Sequence, residues 1–243
     1  MTNCNQRVAL VTGAAGKGIG RSAALTLARD GFAVVVNYRT SEESARAIVS
    51  RIEAGGGQAM AVQADVFDAG DCQRLVDTAF VRFGRLDACI IGPGGGWHPE
   101  SPDKLDTRGA FEDVEHEIAP IYNLLPLVLP TMYRQRWGRV VGIGLNLDLP
   151  SPAFAYNAAK AARNEALLLA SKEAWPHGVT INVIGPAPIQ ELETLDLAVE
   201  HCQHGPGWLE RTTTSPQDIA EGIGYLCSDA GRFVTGCMLR YSF

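Results

Sequence analysis

The sequence predicts an α/β fold: a doubly wound parallel sheet in three layers, α/β/α, forming a single domain over residues 1–243. Three observations predict it. Apolar runs of strand length alternate with longer amphipathic stretches from Arg7 to the C-terminus. Several runs, Phe32–Tyr38 above all, are β-branched and continuous, as in strands covered by helices on both faces. The first run ends in a glycine cluster that opens directly into a helical pattern.

The elements follow in order. Val8–Thr12 is the first strand. Arg21–Asp30 is a helix that Gly31 closes, and Phe32–Tyr38 is the second strand. Glu42–Ala54 is amphipathic and ends at three glycines; Ala59–Ala64 is the third strand. Asp71–Phe83 is a helix stopped by Gly84, and Leu86–Ile91 is the fourth strand. Val114–Gln135 is a long helical stretch before the fifth strand, Arg139–Leu145. Ala155–Trp175, Val179–Ile184, Pro216–Cys227 and Met238–Tyr241 complete the series as helix, strand, helix and short strand. Two long loops, Gly92–Gly109 and Pro186–Thr214, follow strands. Both therefore lie at the carboxyl edge of the sheet, where open α/β folds bind ligands.

Composition narrows the function. Hydrophobic residues make up 46% and charged residues 20%, which supports a core and excludes wholesale disorder. A net charge of −6 with no basic stripe argues against nucleic acid as a partner. The six cysteines, Cys4, Cys72, Cys89, Cys202, Cys227 and Cys237, never fall at C-x-x-C spacing. Without a leader-like segment or an apolar run of membrane length, they read as reduced thiols of a cytoplasmic protein with no membrane partner.

The loop Thr12-Gly13-Ala14-Ala15-Gly16-Lys17-Gly18-Ile19-Gly20 has the chemistry of a pyrophosphate cradle. Its glycines permit a sharp turn and close backbone approach, and the helix that follows offers N–H groups and a positive dipole. The end of the second strand selects the dinucleotide. A carboxylate there would bond the ribose of NAD; this chain has Asn37-Tyr38-Arg39-Thr40-Ser41. Arg39 can fork onto a 2′-phosphate, Thr40 can donate to it, and Lys17 adds a second cation, so the expected cofactor is NADP(H). Asp65-Val66, after the third strand, fits an adenine; Asp65 equally fits a helix N-cap.

With Tyr156-Asn157-Ala158-Ala159-Lys160, these features resemble the short-chain dehydrogenase/reductase family, whose fold is of Rossmann type. The likeness continues through Gly138-Arg139-Val140-Val141, Ile181-Asn182-Val183-Ile184 and Ser215-Pro216-Gln217-Asp218 to Val234-Thr235-Gly236. It implies reduction of a small-molecule carbonyl, or oxidation of an alcohol, in a homodimer or homotetramer. Tyr156 and Lys160, at i and i+4, share one helix face. Tyr156 would be the general acid/base, with Lys160 lowering its pKa and bonding the nicotinamide ribose. The resemblance also assigns Gly13, Lys17, Gly18, Ile19, Gly20, Asn37, Arg39, Thr40, Asp65, Val66, Gly92, Pro186 and Ile189 to the cofactor.

The chain departs from the family at four places. The glycine loop is longer, with Ala14, Ala15, Gly16 and Lys17 before Gly18. Ile91-Gly92-Pro93-Gly94-Gly95-Gly96 replaces the usual Asn-Asn-Ala-Gly. Leu145 stands where the family has its catalytic Ser, a loss worth about 3–4 kcal/mol in comparable sites unless Asn146 substitutes. Glu117 stands in place of the family's Asn, where its charge is expected to raise the pKa of Lys160. Three readings stay open: a reductase with a modified site, an enzyme with other chemistry, or a non-catalytic cofactor-binding or subunit-pairing protein.

Lesser candidates are Trp97, His98 and Trp208, as pocket or lid residues or as loop anchors. His201 and His204 have no further ligand nearby to complete a metal site, so none is expected. Leu124, Leu125, Leu127, Val128, Leu129 and Leu167, Leu168, Leu169 are more apolar than one buried stripe requires, consistent with an oligomer face or with burial in the monomer.

Overall fold

The computed structural model describes residues 6–95, 99–148, 153–207 and 211–242. The strands are β1 (Val8–Val11), β2 (Ala33–Tyr38), β3 (Ala59–Gln63), β4 (Ala88–Ile91), β5 (Gly138–Ile143), β6 (Val179–Gly185) and β7 (Met238–Arg240). The helices are α1 (Ile19–Arg29), α2 (Glu42–Ala54), α3 (Ala69–Phe83), α4 (Thr107–Gln135), α5 (Phe154–Ala174), α6 (Leu195–His204) and α7 (Pro216–Cys227). The strands form one sheet in the order β3-β2-β1-β4-β5-β6-β7, and every pair is parallel.

The sheet pleat divides the core. Successive side chains point to opposite faces. Ala9, Val11, Val34 and Val36 pack beneath α1, α2, α6 and α7. Val8, Leu10 and Val35 pack beneath α3, α4 and α5. That double burial is why the strands read as unbroken apolar runs.

Strand order reverses between β1 and β4. One half of the chain winds outward from β1 to β3 and the other from β4 to β7, which leaves a crevice at the carboxyl ends of β1 and β4. Thr12 closes its floor: its N–H donates to the Ile90 carbonyl, and its hydroxyl accepts from the Gly92 N–H at 3.0 Å.

Two elements differ from expectation. Helix α4 starts at Thr107 rather than Val114. The Asp106 carboxylate caps it by accepting from the Arg108 and Gly109 N–H groups, and much of its first two turns is exposed and lacks a sustained apolar stripe. The segment read as a continuous loop over Pro186–Thr214 contains α6. Thr194 caps it by accepting from Leu197 N–H, and Ala198 and Cys202, at i and i+4, are buried against α1.

Candidate functional site

A cavity of about 590 Å³ opens along the crevice. Its walls include Gly13 and Gly16 of the glycine loop, Arg39, Thr40 and Ser41 after β2, and Asp65 and Val66 after β3. Gly13 sits at φ +62°, a left-handed turn, and a Cβ there would meet the Pro93 ring at 2.8 Å. Gly18 precedes α1, and no side chain caps that helix start, so its first-turn N–H groups face the loop. Ile19 and Gly20 form its first turn.

Arg39 is exposed, and its guanidinium lies 3.7 Å from the Asp65 carboxylate. Asp65 does not cap α3, which Asp68 caps; instead it accepts from the Phe67 N–H. Glycine-loop backbone, a guanidinium and hydroxyl-bearing side chains line one cavity, donors of the kind that could hold the phosphates of a dinucleotide.

Two expected cofactor contacts have other partners. Lys17 turns its ammonium away from this cavity to Glu193, 2.5 Å distant, whose carboxylate raises the lysine above its ordinary pKa. Asn37 is buried as a brace: its Oδ1 accepts from the Gly13 N–H at 3.1 Å and its amide donates to the Ala64 carbonyl at 3.0 Å. A side chain so engaged holds the glycine loop against β2 and β3.

Tyr156 and Lys160 lie on α5 at the same sheet edge. Lys160 is only 8% exposed, and its ammonium is 2.7 Å from Glu117 Oε1 and 5.4 Å from the centre of the Tyr156 ring. Glu117 is 1% exposed and also accepts from the Gly95 N–H at 2.8 Å. The glycine run after β4 makes room for it, because a Cβ on Gly94 would fall 2.3 Å from Glu117 Oε2. Two departures from the family pattern, the glycines and the carboxylate, thus form one packing unit.

Sequence reading missed a third member. Arg163 is fully buried, with Nη1 3.4 Å from Glu117 Oε2. Its guanidinium donates to the Ile91, Pro93, Glu117 and Ile143 carbonyls at 2.8–3.0 Å. The available signal was spacing: Tyr156, Lys160 and Arg163 follow at i, i+4 and i+7, one stripe of α5.

Burial sets the direction of the shift at both Lys160 and Tyr156. Burial pushes the Lys160 ammonium below its ordinary pKa; Glu117 opposes this without overcoming it, and Arg163 reinforces it. Burial, then Glu117, pushes the Tyr156 phenol up, while Arg163 pulls it down.

The Ser position holds Leu145, half-buried. Asn146 is engaged elsewhere: its amide donates to the Tyr241 carbonyl at 3.0 Å and its oxygen accepts from the Asp148 N–H at 3.1 Å. Gly92 gives its N–H to Thr12 and a carbonyl contact to Arg163. Pro186 accepts from the Asn146 N–H, and Ile189 pairs with Thr214 and faces Gly18. His201 lies in α6 with Nδ1 3.3 Å from Ser215 Oγ, and no metal-holding group of His, Cys, Asp or Glu gathers among the described residues. Trp97, His98 and Trp208 lie outside the described residues. No helix among the described residues is long and apolar enough to cross a membrane.

Known proteins resemble this chain in sequence and fold. The family profile described as short chain dehydrogenase matches residues 7–196. A 3-oxoacyl-[acyl-carrier-protein] reductase of Synechocystis is 34% identical, covering 97% of this chain and 95% of its own length. An uncharacterized oxidoreductase of Methylorubrum extorquens is 33% identical, covering 100% of this chain and 98% of its own. A hydroxysteroid dehydrogenase crystal structure from Escherichia coli superposes with a TM-score of 0.81 at 27% identity, covering 97% of this chain and 95% of that one. The order of motifs, the sheet topology and these relatives agree that the chain belongs to the short-chain dehydrogenase family.

Proposed function

We propose that this oxidoreductase uses NADP(H) to reduce a small-molecule carbonyl, or to oxidise the corresponding alcohol, with Tyr156 as general acid/base. The observation that carries the reading is the placement of Tyr156 and Lys160 at the sheet edge where the Gly13–Arg39–Asp65 cavity opens. Bound there, NADPH would supply the hydride for the carbonyl carbon. Tyr156 gives its phenolic proton to the carbonyl oxygen, and the raised phenol keeps that proton available through neutral pH. Lys160 has three donors, so its bond to Glu117 leaves others for a ribose hydroxyl. Arg39, Thr40 and Ser41 would hold the cofactor's 2′-phosphate. One domain, with residues 186–214 choosing the substrate, completes the reading. Among the relatives, the Synechocystis reductase is named for a 3-oxoacyl carrier substrate, which makes 3-oxo thioesters the first carbonyls to try.

Leu145 and the engagement of Asn146 favour a second reading, an NADP(H)-binding protein without turnover. Turnover separates the two. Consumption of NADPH across a panel of 3-oxo thioesters, diketones and ketosteroids, abolished in Tyr156→Phe with NADPH binding retained, supports the enzyme. Tight NADPH binding with no consumption by the parent chain supports the second reading.

A further inference from the structure

The buried cluster beside Tyr156 contains one carboxylate and two cations. Glu117 on α4 faces Lys160 at 2.7 Å and Arg163 at 3.4 Å, all three nearly or fully out of water. Lys160 can give up its proton. Arg163 keeps its own throughout the accessible pH range. With Arg163 present, the cluster is positive when Lys160 is protonated and neutral when it is not. Without Arg163 it would be neutral or negative, which opposes a phenolate at Tyr156 and holds the proton on Lys160. Hydrogen bonds from Arg163 to the carbonyls at the ends of β4 and β5 fix that charge in place.

We propose that Arg163 is a positioning residue of the Tyr156 site, whose permanent charge offsets Glu117 and lets Lys160 and Tyr156 exchange protons in surroundings that do not turn negative. The other ionisable groups around this cluster are few. Helix α4 adds Asp113 and His116, one turn and one residue before Glu117. The loop after β4 contributes backbone near Glu117 and Arg163, and its half-buried Glu100 lies beside Ala155 with its carboxylate accepting from the Asp106 N–H. The segment after β6 carries Glu191 and Glu193, both exposed and coupled to Lys17 and Arg21. The directions agree with the charge count: Arg163 favours loss of the proton at both Tyr156 and Lys160, and Glu117 opposes it at both.

The proposal gains its catalytic meaning from the reading of Tyr156 as proton donor, but its test needs no turnover. The chain has four lysines, Lys17, Lys104, Lys160 and Lys172, so carbon-labelled lysine NMR resolves their titrations, with Lys160→Arg assigning the signal. Tyrosinate absorbance, measured as the difference from Tyr156→Phe, reports Tyr156. Arg163→Met is expected to move both titrations up by about one pH unit or more, tenfold in each ionisation constant. Arg163→Lys keeps the charge and is expected to leave both within about half a unit. Glu117→Gln is expected to move both down by about one unit or more. Unchanged titrations in folded Arg163→Met, or equal shifts in Arg163→Met and Arg163→Lys, would show that Arg163 is only a brace. Should Arg163→Met fail to fold, Glu117→Gln decides alone, and a Lys160 titration that does not move overturns the proposal. Intact shifts beside a fully active Tyr156→Phe would sink the proton-donor reading and leave this one standing.

Discussion

The proposed preference for NADP(H) rests on one exposed side chain, Arg39. Its guanidinium is free to leave Asp65, since an ion pair at 3.7 Å with both partners substantially exposed is worth little. With Lys17 turned to Glu193, Arg39 is the one arginine or lysine among the described residues that line the cavity. Arg39→Ala is therefore expected to weaken NADPH by about tenfold or more and NADH by less than about twofold, as read by fluorescence titration. Equal losses would contradict the assignment. Tyr156 makes a second prediction at this scale. Reduction consumes a phenolic proton and oxidation needs a phenolate. Because burial and Glu117 raise this phenol, reduction is expected to hold steady across neutral pH. Oxidation should climb with pH into the alkaline range. Steady-state profiles in both directions check this, and an oxidation rate flat above neutrality contradicts it.

The elements explain what the sequence could and could not disclose. Strands β1, β2, β4 and β6 were legible because each is buried along its whole length, and α2 was legible because Ala45, Ile48 and Ile52 mark one stripe. Helix α6 was hidden by its short length and by surrounding loop residues. The start of α4 was hidden because an exposed turn has no apolar period. At the site, the proposed roles of Tyr156 and Lys160 and the substitution to Glu117 came from the family resemblance. The engagements of Asn37, Asn146 and Lys17 could not be read from the sequence, because their partners, Gly13 and Ala64, Tyr241, and Glu193, are set by tertiary contacts. Arg163 escaped for the same reason: its meaning lies in four carbonyls from three other elements and a loop. The loop after β4 and the α4 turn that carries Glu117 behave as one piece. Gly94→Ala places a methyl against Glu117 Oε2 and is expected to cost about 1–3 kcal/mol of stability. It should also move the Lys160 titration. A urea midpoint and a Lys160 signal both unchanged would separate the glycine from the carboxylate.

For the whole molecule, the two halves of the sheet share the site. The loops after β1, β2 and β3 line most of the cavity; the other half closes it with Pro93, Gly94, Gly95 and His116 and supplies Glu117, Tyr156, Lys160 and Arg163. Much of the apolar content of α4 and α5 is spent inside the monomer on Leu124, Val128 and Leu167, yet Tyr122 and Leu169 remain exposed. We infer that these faces pair copies of the chain. Light scattering is expected to find a dimer or tetramer, and Tyr122→Asp with Leu169→Asp to give a monomer; a monomeric parent contradicts this. The central claim joins both halves, since hydride delivery at one must meet proton delivery at the other. Its most direct test is transfer of deuterium from NADPH labelled at the transferable position to a carbonyl substrate, read by mass spectrometry. The account predicts label on the carbinol carbon with the parent chain, and about a hundredfold less with Tyr156→Phe although NADPH still binds. No label with the parent chain, or equal label with Tyr156→Phe, would contradict it.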